Sequence, residues 1–262
     1  KNFLDSNPGG YCLYFDTEAA VNKSLLKSRG IDLERLVVIN VVTIEQFRQK
    51  ALQAVDIYLK KSEEDRSPCM FVLDSLGMLS TEKEIRDALD DKQVRDMTKS
   101  QLVKGAFRML TLKLGQANIP MIVTNHTYDV IGSYVPTKEM GGGSGLKYAA
   151  STIIYLSKKK EKDGTDVVGN LIKAKTAKSR LSKENKDVTV RLYYDERGLD
   201  KYYGLLELGE LGGLWKNVAG RYEIGGKKVY AKAILKEPET YFTEEVMEKL
   251  DAIAKEEFSY GS

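Results

Sequence analysis

The sequence predicts an α/β protein whose sheet is largely parallel. Strand-like apolar runs alternate along the chain with segments of helical periodicity, which is the order typical of βαβ units. Two of these runs, Tyr14-Phe15-Asp16-Thr17-Glu18 and Phe71-Val72-Leu73-Asp74-Ser75, end abruptly in carboxylates. Because the carboxyl ends of parallel strands meet at one edge of a sheet, where α/β proteins bind ligands, we expect both acidic ends at a single site.

The elements up to residue 126 follow from apolar periodicity and from turn residues. One helix carries an apolar stripe at helical spacing, made of Ile44, Phe47, Ala51, Ala54 and Tyr58. The predicted elements are a short helix before Pro8, a strand over 11–15, a helix over 22–29, a strand over 36–39, a helix from Thr43, a strand over 70–73, a helix over 98–116 and a strand over 119–126.

The second half of the chain begins with a glycine-rich segment. Residues 127–145 are predicted to form a long loop without regular structure, and such loops are usually functional. Residues 152–156, 170–174 and 188–193 are predicted to be antiparallel edge strands, with a hairpin turn at Asp163-Gly164. A change of composition after Gly198 and an amphipathic helix over 243–258 predict a small carboxyl-terminal α+β domain, so that the domains are 1–197 and 198–262.

Composition limits the class of protein. The 262 residues are 42% hydrophobic and 30% charged, which suits one large or two smaller globular domains and excludes disordered and collagen-like chains. No run of about 18 apolar residues and no signal-peptide pattern occurs, so a cytoplasmic protein is expected. Cys12 and Cys69 are predicted to be reduced thiols in the core. The basic run from Lys173 to Lys186 fits a solvated face and a binding surface equally well.

A phosphate-binding loop is absent from the sequence. No Gly-Lys-Ser or Gly-Lys-Thr occurs in the 262 residues, although such a loop is the usual partner of acidic strand ends in ATP-hydrolysing sites. From the residues alone, Asp74 is also compatible with a capping role and Glu18 with a helix N-terminal acid. The single histidine, His126, is compatible with a structural role at a strand end.

Six motifs in one order make the chain resemble the RecA-type recombinase family, and within it the phage strand-exchange members. The resemblance extends over nearly the whole chain and implies a RecA-like P-loop ATPase core. The motifs are Phe15-Asp16-Thr17-Glu18, Leu73-Asp74-Ser75, Thr124-Asn125-His126-Thr127-Tyr128, the segment from Gly141 to Ser151, Lys178-Ser179-Arg180, and Tyr203-Gly204-Leu205-Leu206-Glu207-Leu208-Gly209.

The resemblance implies roles at an ATP site. Glu18 corresponds to the catalytic glutamate that polarises the water attacking the γ-phosphate, and His126 to the residue that senses that phosphate. Asp74 corresponds to the aspartate that holds Mg²⁺, generally through water. Ser75 and Asn22 are expected to bind nucleotide. The cofactors implied are ATP and Mg²⁺.

The resemblance also implies contacts with DNA and with a second subunit. Residues 128–145 resemble the family's second DNA-binding loop, and residues 87–97 resemble the first. Lys178 and Arg180 correspond to residues that reach the neighbouring subunit's γ-phosphate. The residues expected to bind DNA are Lys92, Arg95, Ile131, Tyr134, Val135, Lys138, Gly141, Gly142 and Gly143.

The implied function is homologous recombination, with recombination-dependent repair and replication. The full-length relative is expected to form ATP-dependent filaments on single-stranded DNA and to exchange strands with double-stranded DNA. Two departures are the missing phosphate loop, expected before Lys1 in a full-length relative, and Leu25, where relatives carry a tyrosine. We therefore expect this chain alone to bind ATP weakly without turnover. The alternatives are a non-catalytic paralogue that binds DNA or regulates filaments, and another RecA-fold motor.

Overall fold

The computed structural model of the chain describes residues 1–91, 97–129, 138–224 and 226–259. It divides into two compact units, residues 1–149 and 150–262, and each unit has its own hydrophobic cluster. This division lies upstream of the predicted boundary at 197/198, because contacts such as the ion pair of Arg191 with Asp200 join residues on both sides of position 198. The boundary at 197/198 stays a prediction.

A parallel four-stranded sheet forms the centre of the first unit, which confirms the predicted α/β class. The strand order is β2-β1-β3-β4, and the register places Asp16 beside Asp74. The strands are β1 (Tyr11–Asp16), β2 (Leu36–Asn40), β3 (Cys69–Asp74) and β4 (Met121–Val123); the helices of this unit are α1 (Asn2–Ser6), α2 (Lys23–Ser28), α3 (Ile44–Lys60), α4 (Glu82–Leu89), α5 (Lys99–Gln116) and α6 (Ser144–Ala149).

The core of the first unit lies on one face of this sheet. Phe15 and Phe71 are fully buried there, and the Phe15 ring meets Phe47 of α3 edge to face at a centroid distance of 5.2 Å. Burying each ring is worth about 1.5–3 kcal/mol. The buried stripe of α3 contains Val55 where Ala54 was predicted, because position 55 falls closer to the centre of the stripe. Thr43 caps this helix by accepting a hydrogen bond from the Gln46 amide at 3.1 Å.

The glycine-rich segment contains regular structure, so the prediction of an irregular loop over 127–145 is wrong at both ends. β5 (Thr127–Asp129) pairs antiparallel with β6 (Lys138–Met140), and α6 starts at Ser144. The two strands are three residues long, and their backbone pairing rather than an apolar pattern defines them. Pattern reasoning was therefore poorly suited to find them.

The second unit contains two antiparallel sheets and a small helical cluster. The predicted hairpin at Asp163-Gly164 is present, and Gly164 adopts a φ of +61°. The strands it joins are longer than predicted and form a sheet of their own with a third strand, Asp187–Tyr193. The elements are β7 (Thr152–Asp163), β8 (Asp166–Ser179), β9 (Asp187–Tyr193), α7 (Leu205–Leu211), β10 (Lys216–Val218), β11 (Arg221–Ile224), β12 (Lys227–Tyr230), α8 (Ala231–Lys236), α9 (Pro238–Tyr241) and α10 (Glu244–Phe258).

The core of the second unit surrounds the single tryptophan. The Trp215 indole N–H donates to the Leu206 carbonyl at 2.7 Å, and the Phe242 ring lies between Trp215 and Tyr202. Gly209 is required on α7, because a Cβ there would lie 2.2 Å from the indole. None of the helices that the structure describes is long and apolar enough to cross a membrane.

Candidate functional site

The carboxyl ends of β1, β3 and β4 meet at one edge of the first unit's sheet. Thr17, which follows β1, lies over the end of β3. Its hydroxyl oxygen accepts a hydrogen bond from the Ser75 amide at 2.7 Å and lies 3.0 Å from the Asp74 carbonyl oxygen. The two acidic strand ends are therefore joined through side-chain as well as backbone hydrogen bonds, as expected for a single site.

Glu18, Ser75 and His126 form a cluster at this edge. The Ser75 hydroxyl donates to Glu18 Oε1 at 3.0 Å and lies 3.4 Å from His126 Nε2, while His126 Nε2 and Glu18 Oε1 are 4.0 Å apart. Ser75 is buried, whereas the side chains of Glu18 and His126 are 39% and 54% exposed. A buried hydroxyl thus orients a partly exposed carboxylate, which suits an acceptor of a water proton.

Asp74 is held by hydroxyl groups from β1 and from the residue that directly follows β4. Its Oδ1 accepts a hydrogen bond from Thr124 Oγ1 at 2.6 Å, and its Oδ2 accepts one from the Tyr14 hydroxyl. Burial, and then the hydrogen bond to Asp74, raises the pKa of Tyr14 well above its usual value of 10.0. Tyr14 therefore remains a neutral donor. Sequence reasoning missed this contact. The available signal was that Tyr14 precedes Asp16 by two residues, so that both side chains lie on the same face of β1.

The donor set at Asp74 fits a metal ion only together with other ligands. Among the described residues, no group of three or more His, Cys, Asp or Glu side chains could hold a metal ion. Mg²⁺ usually keeps several water ligands and binds through one or two carboxylates plus the phosphates of a substrate. A single, well-oriented carboxylate such as Asp74 fits that kind of site, and does not fit a metal held by protein alone.

His126 packs against Gly77, a glycine that no sequence pattern singles out. A Cβ at Gly77, just beyond β3, would lie 2.7 Å from His126 Cδ2. A side chain at position 77 would therefore displace the imidazole from Ser75 and Glu18. The absence of a Cβ at Gly77 is a condition for the cluster.

The glycine run is hydrogen-bonded to the residues after β4. The Asn125 side-chain amide donates to the Gly141 carbonyl at 2.8 Å, and the Gly141 amide donates to the His126 carbonyl at 3.2 Å. Gly142 and Gly143 follow with φ values of +88° and +75°, which glycine adopts without strain. Lys138 lies at the start of β6, in register with Asp129. The remaining predicted DNA-binding residues, Lys92, Arg95, Ile131, Tyr134 and Val135, lie outside the described residues.

Comparison with known proteins identifies the family of the chain. The family profile described as the RecA N-terminal domain matches residues 5–200. The chain belongs to the RecA family. The predicted family and fold class are thereby confirmed.

Named relatives extend this result. The RecA-family chain is 35% identical over 223 residues to the recombination and repair protein (UvsX) of Enterobacteria phage T4, covering 85% of the chain and 55% of that relative. It is 27% identical over 227 residues to RecA of Cereibacter sphaeroides, and 30% identical over 237 residues to RecA of Francisella tularensis, with 86% and 87% of the chain covered. The chain spans 55% of the phage relative and 63% of each of these two bacterial relatives.

The remaining site predictions from the RecA resemblance concern Asn22, Lys178 and Arg180. Asn22 caps α2, because its side-chain oxygen accepts a hydrogen bond from the Leu25 amide at 3.0 Å. Lys178 and Arg180 belong to the second unit, where Lys178 Nζ donates to the Ala150 carbonyl at 2.8 Å and the Arg180 amide donates to the Ser151 carbonyl at 3.0 Å. Contacts of all three with nucleotide stay predictions.

Proposed function

We propose that the chain is the core of a RecA-type recombinase that binds ATP and Mg²⁺ at the carboxyl edge of the parallel sheet and acts on DNA. The observation that carries this proposal is the Glu18, Ser75 and His126 cluster beside Asp74, in a chain of the RecA family. The names of its relatives, RecA and a recombination and repair protein, support a role in recombination and repair.

In this proposal each residue at the edge has a separate task. In the whole protein, Glu18 would accept a proton of the water that attacks the γ-phosphate, and Ser75 would hold that carboxylate in place through its hydrogen bond of 3.0 Å. Asp74 would hold a hydrated Mg²⁺, which would neutralise charge on the phosphates. His126 contacts the γ-phosphate, and its main-chain bond to Gly141 passes a change in its position to the glycine run.

The activity of the whole protein is part of the proposal. It is expected to form ATP-dependent filaments on single-stranded DNA, with Lys178 and Arg180 reaching the nucleotide of a neighbouring subunit, and to exchange strands with a duplex. A phosphate-binding loop supplies many of the ligands of a bound triphosphate. Because these 262 residues contain no Gly-Lys-Ser or Gly-Lys-Thr, we propose that they bind ATP weakly and do not turn it over.

The test measures binding of the chain to labelled single-stranded DNA by fluorescence anisotropy against salt, with and without ATP and Mg²⁺. The logarithm of the association constant should fall linearly with the logarithm of the salt concentration, because contacts between the protein and DNA phosphates release counterions. ATP with Mg²⁺ should strengthen binding, and Asp74→Asn should remove that effect. Asp251→Asn is the matched control, because Asp251 forms an exposed ion pair with Lys255 on α10. This variant should keep the strengthening by ATP and Mg²⁺.

Two outcomes would contradict the proposal. One is an absence of single-stranded DNA binding at low salt. The other is binding that millimolar ATP with Mg²⁺ leaves unchanged in both the unmodified chain and Asp74→Asn. Multiple-turnover hydrolysis of ATP by the chain would contradict the narrower statement about turnover and leave the proposed binding roles standing.

A further inference from the structure

The two hydroxyl groups on Asp74 come from either side of β3, one from β1 and the other from the residue that directly follows β4. Tyr14 lies on β1 opposite Val72, two residues before Asp74, so Tyr14 and Asp74 share a face of the sheet. Val72 is in turn opposite Ile122 of β4, and Thr124 follows Ile122 by two residues on the same face. Parallel pairing therefore brings a phenol and an alcohol to opposite oxygens of one carboxylate.

These hydroxyl groups occupy part of the carboxylate's acceptor capacity. A hydroxyl that donates to an ionised carboxylate forms a charge-assisted bond, which is about twice as strong as a bond between neutral groups. Thr124 Oγ1 lies 2.6 Å from Oδ1, and the Tyr14 hydroxyl bonds Oδ2. Each oxygen keeps one further lone-pair site, so a cation that takes both oxygens directly must share each of them with a hydroxyl donor.

Mg²⁺ and Ca²⁺ differ in the way they use such a carboxylate. Ca²⁺ readily takes carboxylates directly, often through both oxygens, whereas Mg²⁺ is smaller, loses water reluctantly and often meets protein through its water ligands. We propose that Tyr14 and Thr124 are positioning residues that orient Asp74 toward a hydrated Mg²⁺ and select against Ca²⁺. This inference rests on the proposed nucleotide site, and it assigns the cation selectivity of that site to two hydroxyl groups.

The single histidine gives a direct probe for the test. The ring signals of His126 in proton–carbon NMR spectra report on the site without ambiguity and remain usable when ATP binds weakly. ATP is titrated into the full chain with Mg²⁺, with Ca²⁺ and with a chelator, and the dissociation constant is measured in each condition. The variants are Tyr14→Phe, Thr124→Val, Thr124→Ser and, at the metal ligand itself, Asp74→Asn.

Tyr11→Phe is the matched control. Tyr11 lies on the same strand, is also partly buried and has Cys69 rather than Asp74 near its hydroxyl group. Tyr11→Phe therefore removes a partly buried tyrosine hydroxyl without touching Asp74. A purely structural effect of losing a tyrosine hydroxyl should therefore appear in both variants.

The unmodified chain should bind ATP more tightly with Mg²⁺ than with Ca²⁺. Tyr14→Phe should reduce this preference about tenfold, the scale on which groups that orient a metal ligand act. Thr124→Val should also reduce the preference. Thr124→Ser, which keeps the hydroxyl group, and Tyr11→Phe should both leave the preference unchanged. General destabilisation would lower all the affinities together and would leave the Mg²⁺ to Ca²⁺ ratio as it was.

The outcomes separate this inference from the proposed function. If Asp74→Asn removes the effect of both cations while Tyr14→Phe and Thr124→Val keep the ratio, the selectivity role is wrong and the proposed site stands. If neither cation alters ATP binding in the unmodified chain, both are wrong. Should Tyr14→Phe fail to fold, Thr124→Val decides the matter, because Thr124 is exposed.

Discussion

The two units support their predicted functional residues in different ways. In the first unit, the predicted site residue Asp74 directly follows the buried Leu73 on β3, so packing on one face of the strand fixes the polar groups at its end. In the second unit, Lys178 and Arg180 flank Ser179 at the end of β8, a strand with few buried side chains. The geometry of the first site is therefore tied to core packing, and that of the second mainly to hydrogen bonds.

Each unit contains one unique spectroscopic probe, so the comparison can be tested unit by unit. His126 is the only histidine of the chain and lies at the site of the first unit, while Trp215 is the only tryptophan and lies in the core of the second. Ring signals of His126 and the fluorescence of Trp215 therefore report separately on the two units.

The largest effect is expected from Phe242→Ala, which removes a ring packed against Trp215 and Tyr202. The second unit should lose about 3–5 kcal/mol of unfolding free energy, because the cavity collapses only partially. Denaturant unfolding followed by Trp215 fluorescence measures it. Leu211→Ala, at an exposed leucine on α7, is the control and should change the stability by less than about 0.5 kcal/mol. Equal losses in the two variants would mean that this core contributes no special stability.

An intermediate effect is expected from Gly77→Ala, which places a methyl group 2.7 Å from His126 Cδ2. The exposed imidazole can rotate away, so the loss of stability should be about 1 kcal/mol, at the low end for overpacking. The ring signals of His126 should shift strongly, because the ring leaves Ser75.

Gly105→Ala is the control for that substitution. Gly105 lies within α5 with nothing within 4 Å of an added Cβ. Alanine there should stabilise the helix by about 0.5–1 kcal/mol and leave the His126 signals in place. Unchanged His126 signals in Gly77→Ala would show that the backbone at position 77 does not determine the position of the His126 ring.

The smallest effect concerns pH and the surface of the second unit. Lys186 lowers the pKa of Glu257 below its usual 4.5 through a hydrogen bond and through its charge. A carboxyl whose pKa is lower in the folded chain stabilises the fold above the unfolded-state pKa, and this contribution disappears as pH falls through the folded-state value. Lys186→Gln should therefore flatten the dependence of Trp215 unfolding midpoints on pH below about 4.5. Lys232→Gln removes an equal charge elsewhere on the unit and should preserve the slope.

The sequence was most informative where strand register alone places a residue. Asp74 and Glu18 could be assigned to one edge because parallel strands end together. The roles of Tyr14 and Thr124 depend on which face of each strand is polar, and apolar runs without alternation do not show this. Tyr14 did carry a signal, since a tyrosine hydroxyl in a buried strand needs a partner. Gly77 carried none, because a close approach of backbone and side chain exists only in three dimensions.

The pairing of β5 with β6 was missed for a different reason. Each strand has only three residues. The glycine and proline residues between the two strands have low strand propensity, so local propensity predicts a loop for the whole segment. Thr127 and Tyr128 are good strand formers, but two such residues are too few to outweigh that signal. Tertiary hydrogen bonds, such as that from Asn125 to Gly141, fix the segment instead.

The close approach of Gly77 to His126 links two positions that are 49 apart in the sequence. Neither position can change freely, because a side chain at 77 is tolerated only if the group at 126 becomes smaller or turns away. In an alignment of RecA-family proteins, the two columns should therefore vary together, with glycine at the first wherever a ring occupies the second. Covariation of positions 77 and 126 would then reveal the contact from sequences alone.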